Sequence, residues 1–193
     1  MEAYTTFRIR LKSNNTTNEL FEIIKNTIDN YEKYMSERDG IKFLNDFEID
    51  ETQRLIHAED SCSLDSETFA DLIPQIAKNI ATNVKDCEYD VNAYYTSCNC
   101  GFEAYHGISY KENILNIKSV FSEEGNGFCE DCGETFVYID EIDEQDYEKE
   151  FICRKCGEKH TFNELFFGCP PEIMKSTYEI VDENLILISE IAK

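Results

Sequence analysis

Positive charge is scarce in this chain. Eighteen Lys and Arg stand against 40 Asp and Glu in 193 residues, a formal net charge of −22 at pH 7. The deficit is spread along the chain. Residues 1–125 hold 12 basic against 23 acidic residues, and residues 126–193 hold 6 against 17, so each part stands at −11. An acidic tail on a neutral body is thereby excluded, and direct binding to DNA or RNA would work against the field of the whole molecule. Long apolar runs are also missing: nothing approaches the roughly 18 residues of a membrane span. The start, MEAYTTFRIR, alternates apolar and polar residues and lacks the apolar run of a secretory signal. A cytoplasmic protein is expected, in the host cytoplasm if a phage encodes it, and the richness in Asn, Ile and Lys fits a low-GC genome.

Catalytic signatures are absent as well. No Gly-rich phosphate loop, no Gly-x-Ser-x-Gly and no His-Glu-x-x-His occurs. With 40 carboxylates, no acid–base pair stands out from the rest. The usual grounds for proposing an enzyme are therefore missing.

Apolar residues make up 41% of the chain and aromatics 12%, enough to bury a core. Phe7, Ile9 and Leu11 alternate with Arg8, Arg10 and Lys12, as in a half-buried strand whose basic face pairs with acidic neighbours across a sheet. Thr16-x-x-Glu19 fits a capping box, and Leu20, Ile23, Ile24, Ile28, Tyr31 and Met35 recur at helical spacing up to Gly40. Strands are expected at 41–49 and 54–61. A second helix begins near Asp65 or Ser66 with the stripe Phe69, Leu72, Ile73, Ile76, Ala77 and Ile80. Pro74 falls inside it and predicts a kink or a restart. Tyr89–Tyr95, Phe102–Tyr110 and Ile114–Phe121 read as further strands. The order β-α-β-β-α-β with added strands is that of a ferredoxin-like split βαβ unit in an α+β sandwich. Residues 1–121 are assigned to that domain, 122–127 to a polar linker, and 128–168 to a small cysteine-rich domain. A final strand in 169–193, over Tyr178–Ile191, packs back on either domain.

Nine cysteines occur, and the odd total with no export signal favours reduced thiols over a disulfide framework. Cys129, Cys132, Cys153 and Cys156 form two Cys-x-x-Cys-Gly knuckles separated by 20 residues. Each knuckle places two sulfurs on one side of a tetrahedral ion, and Gly133 and Gly157 suit the tight turns that follow. Thr135–Ile139 and Lys149–Ile152 are the candidate strands between them. Residues 126–168 resemble the zinc-ribbon family. That resemblance implies a β-hairpin stapled by one structural Zn²⁺, whose knuckles often serve in binding. A closed set of four thiolates leaves no open position for catalysis.

The connection between the knuckles departs from ribbons that grip nucleic acid. Asp140, Glu141, Asp143, Glu144, Asp146, Glu148 and Glu150 place seven carboxylates beside one lysine. They are the candidate partner-binding surface. Cys98, Cys100 and His106 form a looser candidate for a second metal site; His160, four residues after Cys156, could replace a ligand or lie near the ribbon, and a hydrogen-bonding or surface role is expected of it. Cys62, Cys87 and Cys169 read as free thiols.

The function expected is a non-enzymatic, acidic, zinc-binding interaction protein that docks on a basic surface of a nucleic-acid-handling protein. A phage-encoded nucleic-acid mimic that inhibits a host defence system, anti-CRISPR-like, fits this description. No direct nucleic-acid contact and no membrane are expected. The alternatives are a nucleic-acid-binding zinc-ribbon regulator, which Arg154, Lys155 and Lys159 would serve, and an enzyme or ligand-binding α+β domain with a structural zinc.

Overall fold

A computed structural model describes residues 3–12, 22, 25, 26, 30, 48–50, 52–62, 66–84, 87–97, 101–182 and 184–193, without the side chains of residue 49 and of 58–68. The alternation at the start becomes β1, Ala3–Leu11, with Phe7, Ile9 and Leu11 buried and Arg8 and Arg10 exposed. The capping box, the apolar stripe of the first helix and its stop at Gly40 lie outside the described residues, as do positions 41–47. Glu22, Lys25, Asn26 and Asn30 are helical and exposed, as that helix's polar face requires.

Two strands follow: β2, Glu48–Asp50, and β3, Leu55–Cys62. Asp50 accepts the Gln53 N–H at 2.9 Å and closes the turn between them. Helix α1, Ser66–Asn83, runs unbroken through Pro74, so the expected restart is absent. Its stripe is fully inside, with Phe69, Leu72, Ile73, Ile76, Ala77 and Ile80 all buried. The hydroxyl of Tyr89 donates to the Ala77 carbonyl at 2.9 Å, so this helix is tied to the sheet by a buried hydrogen bond as well as by packing.

Strands β4, Tyr89–Ser97, β5, Glu103–Lys111, and β6, Ile114–Ser122, complete the central meander. Glu112 and Asn113 turn β5 into β6 with φ of 51° and 66°, the two left-handed residues of a tight hairpin. The end of the chain differs from expectation. Instead of one strand it forms two, β11, Glu172–Val181, and β12, Asn184–Ala192, with Val181 paired to Asn184. Asp182 adopts a φ of 48° at the turn, which its short polar side chain tolerates and a β-branched residue would resist.

All eight strands form one antiparallel sheet in the order β12-β11-β6-β5-β4-β1-β3-β2. The protein is thus strand-rich, with few helices among the described residues. One face carries α1 over Phe7, Ile9, Tyr89, Val91, Tyr95, Ile108 and Leu115. The other face carries the cysteine-rich segment. Within it, β7, Gly127–Phe128, pairs with β8, Thr135–Val137, and β9, Glu150–Ile152, pairs with β10, Lys159–Thr161. A 3-10 turn at Glu144–Glu148 and a short helix α2, Phe162–Leu165, fill the intervals.

A second core joins this segment to the sheet. Val137, Ile139, Ile142, Phe162, Leu165 and Phe166 pack with Tyr105, Val120 and Ile173, one residue from each of β5, β6 and β11. Tyr105 pairs with Val120 and Val120 with Ile173, so the three form a single apolar row across the sheet. The interval 122–127 is hydrogen-bonded at both ends. Asn126 donates to Glu103 at 2.8 Å, accepts from the Ile139 N–H at 3.0 Å, and Ser122 donates to the Gly125 carbonyl at 2.6 Å.

Candidate metal centre

The two knuckles repeat one backbone design. Cys129 N–H donates to the Glu134 carbonyl at 2.9 Å, and Gly133 N–H donates back to the Cys129 carbonyl at 2.8 Å. In the second knuckle Cys153 N–H donates to Glu158 and Gly157 N–H donates to Cys153, both at 2.9 Å. The glycines sit at φ of 70° and 83°, where any other residue would be strained.

These turns bring the four sulfurs together. Cys129 Sγ lies 3.5 Å from Cys156 Sγ, and Cys132 Sγ lies 3.6 Å from Cys153 Sγ. All four lie within 4.8 Å of one another. Four sulfurs at bond lengths of about 2.3 Å around a tetrahedral ion stand about 3.8 Å apart. The donor set and its spacing therefore fit a four-thiolate metal site of the zinc-ribbon kind. Cys129 and Cys153 are buried while Cys132 is half-buried and Cys156 exposed, so the site lies at the rim of the segment.

Backbone donors and neighbouring sulfurs act unequally on two of the thiols. The N–H groups of Cys156 and Lys155 draw the Cys153 thiol down to about 6, against desolvation. At Cys156 the Glu158 N–H acts in the same sense, but local desolvation and the sulfurs of Cys129, Cys153 and Cys132 prevail and push it up to about 12. A metal ion bound among them would hold its ligand sulfurs as thiolates.

His160 is drawn in as well. It lies buried on β10, its Nε2 3.2 Å from Cys129 Sγ and its ring 6.2 Å from that of Phe136. A hydrogen bond to a ligating sulfur relieves charge on that ligand and orients it. Cys129, Asp131 and His160 form a second possible grouping around the same sulfur.

The other candidate, Cys98, Cys100 and His106, is only part-described, since both cysteines lie outside the described residues. His106 itself sits in the helix-side core with Nδ1 2.7 Å from Ser119 Oγ, between the rings of Phe69 at 5.2 Å and Phe121 at 5.7 Å. Its Nε2 has no hydrogen-bond partner among the described residues, and burial pushes the imidazole down to about 4. Cys87 is buried, its thiol raised to about 11 by desolvation and the Glu88 charge, and Cys169 is exposed. The side chain of Cys62 lies outside the described residues.

The seven carboxylates of the connection divide into two groups. Asp140, Asp143 and Glu144 are half-buried and Asp146 is buried, whereas Glu141, Glu148 and Glu150 are exposed. Asp140 Oδ2 accepts from the Tyr94 hydroxyl at 2.8 Å, and Lys118 Nζ donates to the Asp140 carbonyl at 3.1 Å. Asp143 pairs with Lys175, which also lies 3.7 Å from Glu144. That partner holds the Asp143 carboxyl below the usual range. Asp143 and Asp146 also close a reciprocal capping box around the 3-10 turn. The connection is thus clamped to the sheet by part of its own acid. The spacing of the carboxylates carries no sign of this, because Lys118 and Lys175 are remote in sequence.

At the end of β1, Lys12 forms an ion pair with Asp90 of the neighbouring β4, as the basic stripe predicts. No helix among the described residues is long and apolar enough to cross a membrane. No known protein family, curated protein or solved structure matches the chain.

Proposed function

We propose that this chain is a non-enzymatic binding protein with one structural Zn²⁺, which docks through exposed carboxylates on a basic surface of a nucleic-acid-handling protein. The observation that carries this reading is the net charge of −22 combined with a closed sulfur site. The sulfur set leaves no coordination position for chemistry, and the charge favours fast association with a basic surface. The outward carboxylates Glu130, Asp131, Glu141 and Glu148 stand on a segment held to the sheet by its own apolar core, which supports a rigidly presented negative surface. Spaced carboxylates of this kind imitate phosphates, so a phage-encoded nucleic-acid mimic that blocks a host defence protein is the specific form of the proposal. The strand order β4-β1-β3-β2 supports a ferredoxin-like unit as the underlying scaffold, extended by β5, β6, β11 and β12.

The test is capture from host lysate on immobilised, zinc-loaded protein at low and at high salt. A basic partner retained at low salt, released at high salt and displaced by nucleic acid supports the proposal. So does its loss with the Glu141→Lys, Glu148→Lys double variant. Retention of no basic partner at low salt sinks it, and tight binding of DNA or RNA by the protein itself at physiological salt replaces it with the nucleic-acid-binding reading.

A further inference from the structure

A row of side-chain positions crosses six strands on the sheet face that carries the cysteine-rich segment. The registers align His57, Arg8, Asn92, Gly107, Lys118 and Lys175, from β3 through β1, β4, β5 and β6 to β11. Directly paired residues share a face, so this is one line of three permanent cations and an imidazole. In a chain with 18 basic residues against 40 acidic ones, such a line is a local reversal of charge.

One end of the row already holds anions. Asp143 and Glu144 lie on Lys175, and the Asp140 carbonyl accepts from Lys118. The other end opens into a cavity of about 530 Å³ whose lining includes Arg8, Arg10, His57, Asn92 and Tyr94 together with two carboxylates, Asp90 and Asp140. Arg10 is two residues from Arg8 on the same face, about 7 Å along the strand. His57 stands directly across from Arg8, with Cβ atoms about 5 Å apart. The two lining carboxylates have partners of their own, Lys12 for Asp90 and the Tyr94 hydroxyl for Asp140. Arg8 and His57 also interact within the protein, and a ligand would share them with those neighbours.

We propose that this cavity binds a small organic phosphate monoester, with its phosphate on Arg8, Arg10 and His57 and its body against Asn92 and Tyr94. Two guanidinium forks and an imidazole on adjacent positions suit a dianion with three free oxygens, whereas a single carboxylate uses one fork. The cavity lies in the size range of small-molecule sites, and a bare phosphate would leave most of it empty. Asn92 and the lining carboxylates Asp90 and Asp140 supply acceptors for hydroxyl or amino groups on the body.

Isothermal titration of the zinc-loaded full-length protein tests this, with ribose 5-phosphate, adenosine 5′-monophosphate, inorganic phosphate and unphosphorylated ribose as probes. At least one of the two esters is expected to bind saturably at one site per chain, more tightly than inorganic phosphate, while ribose does not bind. Arg10→Gln, at an exposed position, should weaken binding about tenfold or more. Lys111→Gln, a cation outside the cavity, should leave it unchanged, with circular dichroism confirming that both variants fold. Absence of saturable binding by either ester overturns the proposal. So does ester binding no tighter than that of inorganic phosphate, binding of ribose as tight as that of its phosphate, or equal weakening by the two variants.

Discussion

His106 should make the protein lose stability in mild acid, and the amount follows from its surroundings. The imidazole is fully buried between Phe69 and Phe121, and burial lowers it to about 4, against about 6.5 in the unfolded chain. Between those values the unfolded state takes up a proton that the folded state refuses. Stability is therefore complete above pH 6.5 and falls as pH drops toward 4. The full loss is about 3 kcal/mol, of which about 1.3 kcal/mol falls between pH 7.5 and 5.5. His106→Leu removes the titration but also costs the contact with Ser119, so the comparison rests on the pH slope and not on absolute stability. Urea unfolding with saturating zinc, followed by tyrosine fluorescence in this tryptophan-free chain, measures the slope in both proteins. Any effect of thiol protonation at the metal centre is common to both and cancels. The wild type should lose about 1.3 kcal/mol more than the variant over that window. Equal slopes would refute the argument, since His106 would then charge as easily in the core as in water.

Cys132→Ser should lower bound zinc from about one per chain toward none by elemental analysis, because a four-thiolate site loses a ligand. Amide exchange should quicken across 126–168 while β1 and β4 stay protected; equal loss of protection everywhere would show that sheet and metal segment unfold as one unit. Phe162 is fully buried among Tyr147, Phe151 and Phe166, with ring centroids 4.9, 6.0 and 5.0 Å away, so Phe162→Ala should cost about 3–5 kcal/mol in urea unfolding. A cost under about 1 kcal/mol would mean the second core is not packed as described. A double-mutant cycle on Asp143 and Lys175 should give a coupling of about 0.2–1 kcal/mol that shrinks with salt, since both side chains are about a third exposed. The Asp143 carboxyl is held low, so this coupling is present at neutral pH and lost as acid protonates it; a coupling unchanged by salt and acid would count against an ion pair.

Local features proved readable from sequence because they depend on near neighbours. The alternation in Ala3–Leu11, the stripe in Ser66–Asn83 and the knuckle glycines Gly133 and Gly157 each express a period or a turn set within a few residues. Of the kink or restart that Pro74 predicts, the restart is absent, since the buried stripe on either side outweighs one lost helical hydrogen bond. One strand rather than a hairpin is expected at the C-terminus because the polar stretch Asp182-Glu-Asn184 is short and carries no glycine or proline to announce a turn.

The acidic connection shows where local reading stops. From sequence, its seven carboxylates form a uniform negative run. In the fold, Tyr94, Lys118 and Lys175 from three different strands engage Asp140, Asp143 and Glu144, and those partners lie 22 to 46 residues away for Asp140 and 32 for Asp143. Cysteine spacing was enough to specify a four-sulfur site, because each Cys-x-x-Cys-Gly turn builds its half from its own backbone. Which face of the sheet receives that site, which carboxylates remain outside and which cations line up from His57 to Lys175 were decided only by strand register. Register is a property of paired strands, and no stretch of one strand contains it.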